Sequence, residues 1–419
     1  MTKKLCAAML PDLNITDEDA RVYRELQEGL HREVIRQYEE FLRQDRHIDP
    51  AKWKYLRSEG EVKAYRERRS GRTATPFVPG LHAHELGPQQ KFAQKLDVPR
   101  VLITGKVRGV LDDVLYAHAY HDTASLRMHA VYQRDVLDDN AVIASLQGPT
   151  LEDPYRFSGI TWHYRTFPLA IIKNRDIVLF VDLRQTTLSN GERIGIMLCH
   201  SIDHRDLPQL TDMNVLRMSV SLAMLFRQDS AELVDVFMTD CMDMQMVLPD
   251  SFYAQQLAKS LLGIANISDV ALNKKLRHRL RARSRRTAMS RRYTNMSTST
   301  LSISENAMEE ERKQCEYCEK RIGGFFTSSV YNCQLCEKRC TVKREIVIDS
   351  TPSEPVARTF QLCVGCILET RAMPTIDIAA AEAYHRTESA KQVHEHQARR
   401  HQNSVATSVS SSTPSIDLY

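Results

Sequence analysis

Seven of the ten cysteines fall between positions 315 and 366, as the C-x-x-C pairs Cys315/Cys318, Cys333/Cys336 and Cys363/Cys366 with Cys340 as a seventh thiol. A C-x-x-C turn presents two thiolates from one bend, and two such turns complete the tetrahedron that zinc prefers. The start MTKK is followed only by LCAAML before Pro11 and Asp12, which is too short an apolar stretch for a secretory signal. In such a chain clustered cysteines favour metal over disulfides, so zinc is the expected cofactor. Cys6, Cys199 and Cys241 stand alone and are expected to be ordinary free thiols. Two further constellations are set aside. His200-Ser201-Ile202-Asp203-His204 ends a strand-like run with its histidines and its aspartate on opposite sides, and His394 and His396 do not share a helical face. The sequence holds no G-x-S-x-G, P-loop, G-x-G-x-x-G or H-E-x-x-H, so no enzyme is expected.

The elements that must position these thiols can be read from periodicity. Thr16 to Asp19 has capping-box spacing, and Tyr23, Leu26, Leu30, Val34, Tyr38 and Phe41 recur at threes and fours, predicting an amphipathic helix. From Trp53 to about 202 the pattern turns to strands: WKYLRSEGEVKAYRERR, VLITGKVRGV, SLRMHAVYQRDV, SGITWHYRTF, DIVLFVDLRQTTL and ERIGIMLCHSI. The last two flank Ser189-Asn190-Gly191, a hairpin signal. Strands without long crossovers imply an antiparallel sheet. After Pro249 and Asp250, the positions Ala254, Leu257, Ala258, Leu261, Leu262 and Ala265 line one face of a long helix. The fold class expected is α+β, a helix-grip antiparallel sheet with a long C-terminal helix and a small finger.

With IIKNRDIVLFVDLR, GERIGIMLCHSIDHRDLP and MLFRQ in place, residues 15–268 resemble START-like lipid-binding domains. The resemblance implies a cavity for one lipid or sterol, lidded by the last helix, with Trp162 and Phe180 of the sheet and Leu257 and Leu261 of the helix among its lining. Residues 311–375 resemble a FYVE-type finger in the order of the pairs, in IGGFF after the first pair and in VKREIVID after Cys340. That family's cross-brace implies one complete site from Cys333, Cys336, Cys363 and Cys366. Cys315 and Cys318 keep only Cys340 of the pair they need, an incomplete site. The family's basic phosphoinositide reader is missing: Ser328, Ser329, Val330, Tyr331 and Asn332 precede Cys333, and Gln361 precedes Cys363.

Between the two units, 269–310 is expected to be a basic and Ser/Thr-rich linker, with a helical start as one reading of it. Its residues 274–292 hold ten Lys and Arg and no acid, in a chain whose whole net charge is +4. Arg281, Arg283, Arg285 and Arg286 are candidates for an anionic membrane surface; a solubilising connector and a nuclear signal are the other readings, and nucleic acid is not the expected partner. Residues 376–402 read as a polar helix and 403–419 as a disordered tail. A cytoplasmic protein that binds or senses lipid, peripheral to endomembranes, is the favoured reading; the rival is an adaptor whose finger and Arg run engage protein partners or membranes.

Overall fold

Helix α1 (Asp17–Arg43) begins with the expected capping box: Thr16 Oγ1 accepts from Asp19 N at 3.2 Å, and Asp19 Oδ2 accepts from Thr16 N at 3.0 Å. Tyr23, Leu26, Leu30, Val34, Tyr38 and Phe41 are all buried along one stripe. The computed structural model that shows this describes residues 6–11, 13–68, 100–133, 137–167, 172–245, 249–294, 330–350 and 354–386.

Strands β1 (Trp53–Glu59), β2 (Val62–Glu67), β3 (Val101–Arg108), β4 (Asp139–Gln147), β5 (Phe157–Arg165), β6 (Asn174–Thr187), β7 (Arg193–Ser201), β8 (Val215–Arg217), β9 (Ser219–Ser230) and β10 (Leu233–Asp243) form one sheet. Its order is β1-β2-β3-β10-β9-β7-β6-β5-β4, antiparallel throughout, with short β8 parallel to β6 off that path. The expected β6–β7 hairpin is present, with Gly191 at φ 84° in its turn, a conformation that favours glycine. α2 (Leu111–His118) and α3 (Thr123–Tyr132) follow β3, and α4 (Asp250–Leu261) and α5 (Ile267–Thr294) follow β10. Beyond them, β11 (Val330–Asn332), β12 (Arg339–Ser350) and β13 (Pro355–Cys363) form a second small sheet, from which α6 (Val364–Ala372) and a further helix, α7 (375–386), lead away. This is the α+β helix-grip arrangement expected. Among the described residues no helix is long and apolar enough to cross a membrane.

Three expectations are corrected. SLRMHAVYQRDV, read as a strand, holds most of α3: Asp122 and Ser125 make a reciprocal cap, with Ser125 N donating to Asp122 Oδ1 at 2.7 Å, and a local capping bond of this kind starts a helix. The long helix expected after Pro249 breaks at a 3-10 segment, Leu262–Asn266, before α5 resumes; Gly263 and Asn266 are poor helix-interior residues. The stretch taken as a linker from 269 is helix α5 up to Thr294. Its Leu272, Leu276 and Leu280, spaced by four, are buried, an apolar stripe that the surrounding arginines mask in composition. Residues 295–310 and 403–419 lie outside the described residues, as does 387–402 of the expected polar helix.

Strand alternation divides the core into two clusters. Ile160, Trp162, Tyr164, Val178, Phe180, Ile194, Ile196, Leu198, Leu225 and Phe237 face α1, whereas Phe157, Ile177, Leu179, Val181, Met197, Cys199, Met224, Phe226, Val236 and Met238 face α2, α4, α5 and α7. The α1 face is pinned by three buried aspartates of the sheet. Asp182 accepts from Arg156 Nη1 at 2.5 Å, from Arg184 Nε at 3.0 Å and from Gln27, and lies 2.6 Å from His31 Nε2. Asp176 takes Trp162 Nε1 at 3.1 Å and Arg217 Nε at 2.9 Å. Asp235 takes Tyr38 Oη at 2.5 Å and Arg46 Nη2 at 2.7 Å.

Burial pushes the Asp182 carboxyl up, but the hydrogen bond with His31 and the charge of Arg156 more than offset this and hold it below the usual carboxylate range. Removing the carboxylate strands several buried donors at once. Asp182→Ala should therefore cost about 3–5 kcal/mol in a urea titration, and a loss below about 1 kcal/mol would show that α1 is held by its apolar stripe alone.

Candidate functional site

The face opposite α1 is covered by several separate helices in close approach. A Cβ at Gly195 of β7 would collide with Leu115 of α2, so this glycine lets the helix lie directly on the sheet. Tyr253, Ala254, Leu257 and Ala258 of α4, with Ile267, Val270 and Ala271 of α5, complete the apolar layer. Within it sit buried polar groups whose atoms lack partners. His118, 3% exposed, stacks on Phe226 with centroids 5.2 Å apart, and neither of its ring nitrogens has a hydrogen-bond partner. Asp240, 2% exposed, has no well-formed hydrogen bond at either oxygen; the backbone N–H of Cys241 beside it is a nearby donor. His129 joins this face 5.8 Å from the His118 ring and 5.2 Å from Tyr120.

The electrostatics of this layer favour neutral forms. Burial pushes the Asp240 carboxyl up to about 7, and burial with the positive charge of Lys274 pulls His118 down to about 3. Burial lowers His163 to about 4, and its Nε2 lies 3.0 Å from Thr161 Oγ1. Burial, then the neighbouring Asp240, lifts the Cys199 thiol to about 12. An apolar layer holding neutral, unpartnered polar atoms can receive an apolar molecule and offer it hydrogen bonds.

The four expected cavity residues are not brought together. Leu257 and Leu261 of α4 belong to this layer, Leu261 at its margin, but Trp162 and Phe180 lie on the other side of the sheet beneath α1. Phe180 stacks on Tyr23 at 5.6 Å, and Trp162 is hydrogen-bonded to Asp176. Even-numbered positions of β5 and β6 face α1, and odd positions such as Leu179 and Val181 face the α2–α4–α5 layer. Polar residues at buried registers, His118 and Asp240, were the signal that sequence reasoning passed over.

The second site is the cluster Cys333, Cys336, Cys363 and Cys366, whose sulfur atoms all lie within 4.8 Å of one another. Cys336 Sγ and Cys363 Sγ are 3.8 Å apart, and a tetrahedron with metal–sulfur bonds near 2.3 Å has edges of about 3.8 Å. The backbone supports the thiolates: Cys333 Sγ accepts from Leu335 N at 3.4 Å and Cys363 N at 3.3 Å, and Cys363 Sγ caps α6 by accepting from Cys366 N at 3.3 Å. Burial raises the Cys333 thiol, but these N–H groups outweigh it and hold it at about 7, whereas burial leaves Cys336 and Cys366 above the ordinary value. Four converging sulfurs at this spacing fit one soft cation, which draws off their protons on binding. The four cysteines that the cross-brace assigned to a complete site are thus brought together. Cys315 and Cys318 lie outside the described residues, and the backbone of Cys340 is in β12 opposite Tyr331.

The arginine run is not a free patch. Arg283 donates to Gln334 O and pairs with Glu337 in the cysteine turn. Arg281 is half-buried, while Arg285 and Arg286 are exposed.

No protein-family model matches the sequence, and no curated protein matches it. Solved structures do. Human StAR-related lipid transfer protein 5 aligns at 15% identity and a TM-score of 0.38 over 59% of this chain and 96% of its own. The lipid transfer and protein localization domain of human StarD13 aligns at 12% and 0.35 over 56% of this chain and 95% of its own. Human STARD10 aligns at 9% and 0.34 over 61% of this chain and 80% of its own.

The Asp240 environment makes a prediction. A carboxyl that keeps its proton up to about 7 when folded, against about 3.9 unfolded, makes the folded state the proton-richer one in that window. Stability then falls as pH rises from about 4 to about 7, by up to about 1.4 kcal/mol per unit. Urea titrations across that range should show a shallower fall for Asp240→Asn, and equal slopes would contradict the burial of an ionisable Asp240.

Proposed function

We propose that this protein is a non-catalytic lipid-binding or lipid-sensing protein. It holds one lipid or sterol molecule between the sheet and the layer of α2, α4 and α5, and the four cysteines bind one zinc ion in a structural role. The observation that carries this reading is the contrast between the sheet carboxylates of the two faces. Asp176, Asp182 and Asp235 on the α1 face each have several partners, whereas neither oxygen of Asp240 on the opposite face has a well-formed hydrogen bond; single unpartnered atoms occur on both faces, at Tyr23 Oη and His31 Nδ1 as well as on the His118 ring. Buried polar atoms without partners are costly, at roughly 1–3 kcal/mol each, and a ligand that hydrogen-bonds to them removes that cost. The START resemblance of residues 15–268 points to the same kind of ligand.

Zinc is favoured over harder cations because all four donors are thiols. The missing phosphoinositide reader leaves the finger a structural element. The adaptor reading draws on Arg285 and Arg286, the exposed members of the run among the described residues, but Arg283 is already engaged by the cysteine turn. The whole assignment predicts that organic extraction of the purified protein, followed by mass spectrometry, releases a stoichiometric lipid. Leu261→Arg, at the margin of the α4 layer, should lower that yield by at least about tenfold while the thermal melt stays cooperative. Repeated extraction of no lipid from folded wild-type protein would move the reading to the adaptor.

A further inference from the structure

Helix α5 has two working faces. On one, Ile267, Val270 and Ala271 belong to the ligand-face cluster, and Lys274 Nζ donates to Ala119 O at 2.8 Å just beyond the end of α2. On the other, Leu272, Leu276 and Leu280 form a separate buried cluster with Cys333, Cys363, Cys366, Val347 and Leu362. The residues between these leucines clasp the cysteine turns. Arg279 Nη1 donates to Cys366 O at 3.1 Å and to Thr370 Oγ1 at 2.7 Å. Lys275 Nζ donates to Arg371 O at 3.0 Å while pairing with Asp113 of α2 at 2.8 Å, and Arg283 reaches Gln334 O between the first two cysteines.

The chain leaving the centre returns to the same layer. From Cys366 it runs through α6 into α7, whose Ile378 and Ala379 are buried in the ligand-face cluster. Thr375 Oγ1 donates to Asp113 Oδ1 at 3.1 Å, and Tyr116 Oη donates to Glu382 Oε1 at 3.2 Å. One cysteine pair therefore sits against the helix that closes the grip, and the other starts the segment that covers it. A three-stranded unit this small buries too little apolar surface to hold its turns unaided, so a metal that binds it supplies folding energy.

We propose that the four-cysteine centre is a latch on the closing layer, so that metal occupancy governs how readily α5 and α7 open over the bound ligand. This rests on the reading that the ligand lies beneath that layer. Metal loss frees the leucine stripe of α5 and the anchor of α7 together, and ligand exchange becomes faster. The α1 face, held by its own aspartates, does not respond.

The test uses the full-length, zinc-loaded protein before and after stripping with a chelator. Hydrogen exchange at 267–283 and 375–386 should become at least about tenfold faster on stripping, with α1 unchanged. Release of nitrobenzoxadiazole-labelled sterol or phosphatidylcholine, loaded beforehand, should accelerate at least about tenfold. The double variant Leu276→Ala, Arg279→Ala keeps every cysteine and should retain one zinc per chain, yet show the same faster exchange in α5 and α7. That variant separates undocking from unfolding of the centre itself. Faster exchange confined to 330–372, with α5, α7 and probe release unchanged, would overturn the latch. If neither probe binds the zinc-loaded protein, the ligand reading fails, and the exchange measurement alone still decides whether the centre secures these helices.

Discussion

The structure depends on the anchoring of α1 to the sheet through Asp182. That carboxylate lies in an apolar interface, and His31, Gln27, Arg156 and Arg184 converge on it from the helix and from neighbouring strands. A buried charge is tolerated when its partners are this complete, and it specifies one seating of the helix because any slip leaves donors unpaired. Asp235 repeats the device further along the same face through Tyr38 of α1 and Arg46 just beyond it, and Asp176 braces the sheet itself through Trp162 and Arg217. With α1 fixed in this way, that side of the sheet is filled by Trp162, Phe180 and the tyrosines of the helix. On the function proposed above, a guest is left to the other side.

The other side is built differently. Its cover is assembled from separate pieces: α2, lowered onto β7 at Gly195, then α4 and α5 with a 3-10 break between them, and finally α7 from the far end of the described chain. A layer made of separate elements can open piece by piece, since local opening costs less than global unfolding. The four-cysteine unit packs on one of those pieces, α5, through the leucine stripe and the Arg279 and Lys275 bonds, and the chain leaving it forms another, α7. The basic run that composition presents as a charged connector is thus partly a docking helix.

Much of this was legible in the sequence where a pattern is local. The α1 stripe, its cap, the Asn190-Gly191 hairpin and the C-x-x-C pairs each depend on residues close in the chain, and each was found by spacing alone. The misreadings share a different cause. α3 was taken for a strand because a short apolar run has no decisive period, and its cap at Asp122 decided the matter. Trp162 and Phe180 fall on the opposite face from Leu257 and Leu261, because residue type does not say which face of a doubly buried strand is which; that follows from what packs on each side. The docking role of Leu272, Leu276 and Leu280 was hidden by the arginines around them, and it needs a partner far away in sequence to become visible.

On the proposed function the guest lies between the sheet and the α2–α4–α5 layer, away from α1. Photo-crosslinking with a lipid that carries a diazirine on its acyl chain, followed by peptide mapping, tests it directly. The account predicts adducts on α4 around Leu257, on α2 and its exit around Tyr120, and on odd positions of β6 such as Leu179, all members of the same buried layer. Adducts concentrated on Tyr23, Trp162 or Phe180, which share the α1 face, would contradict it.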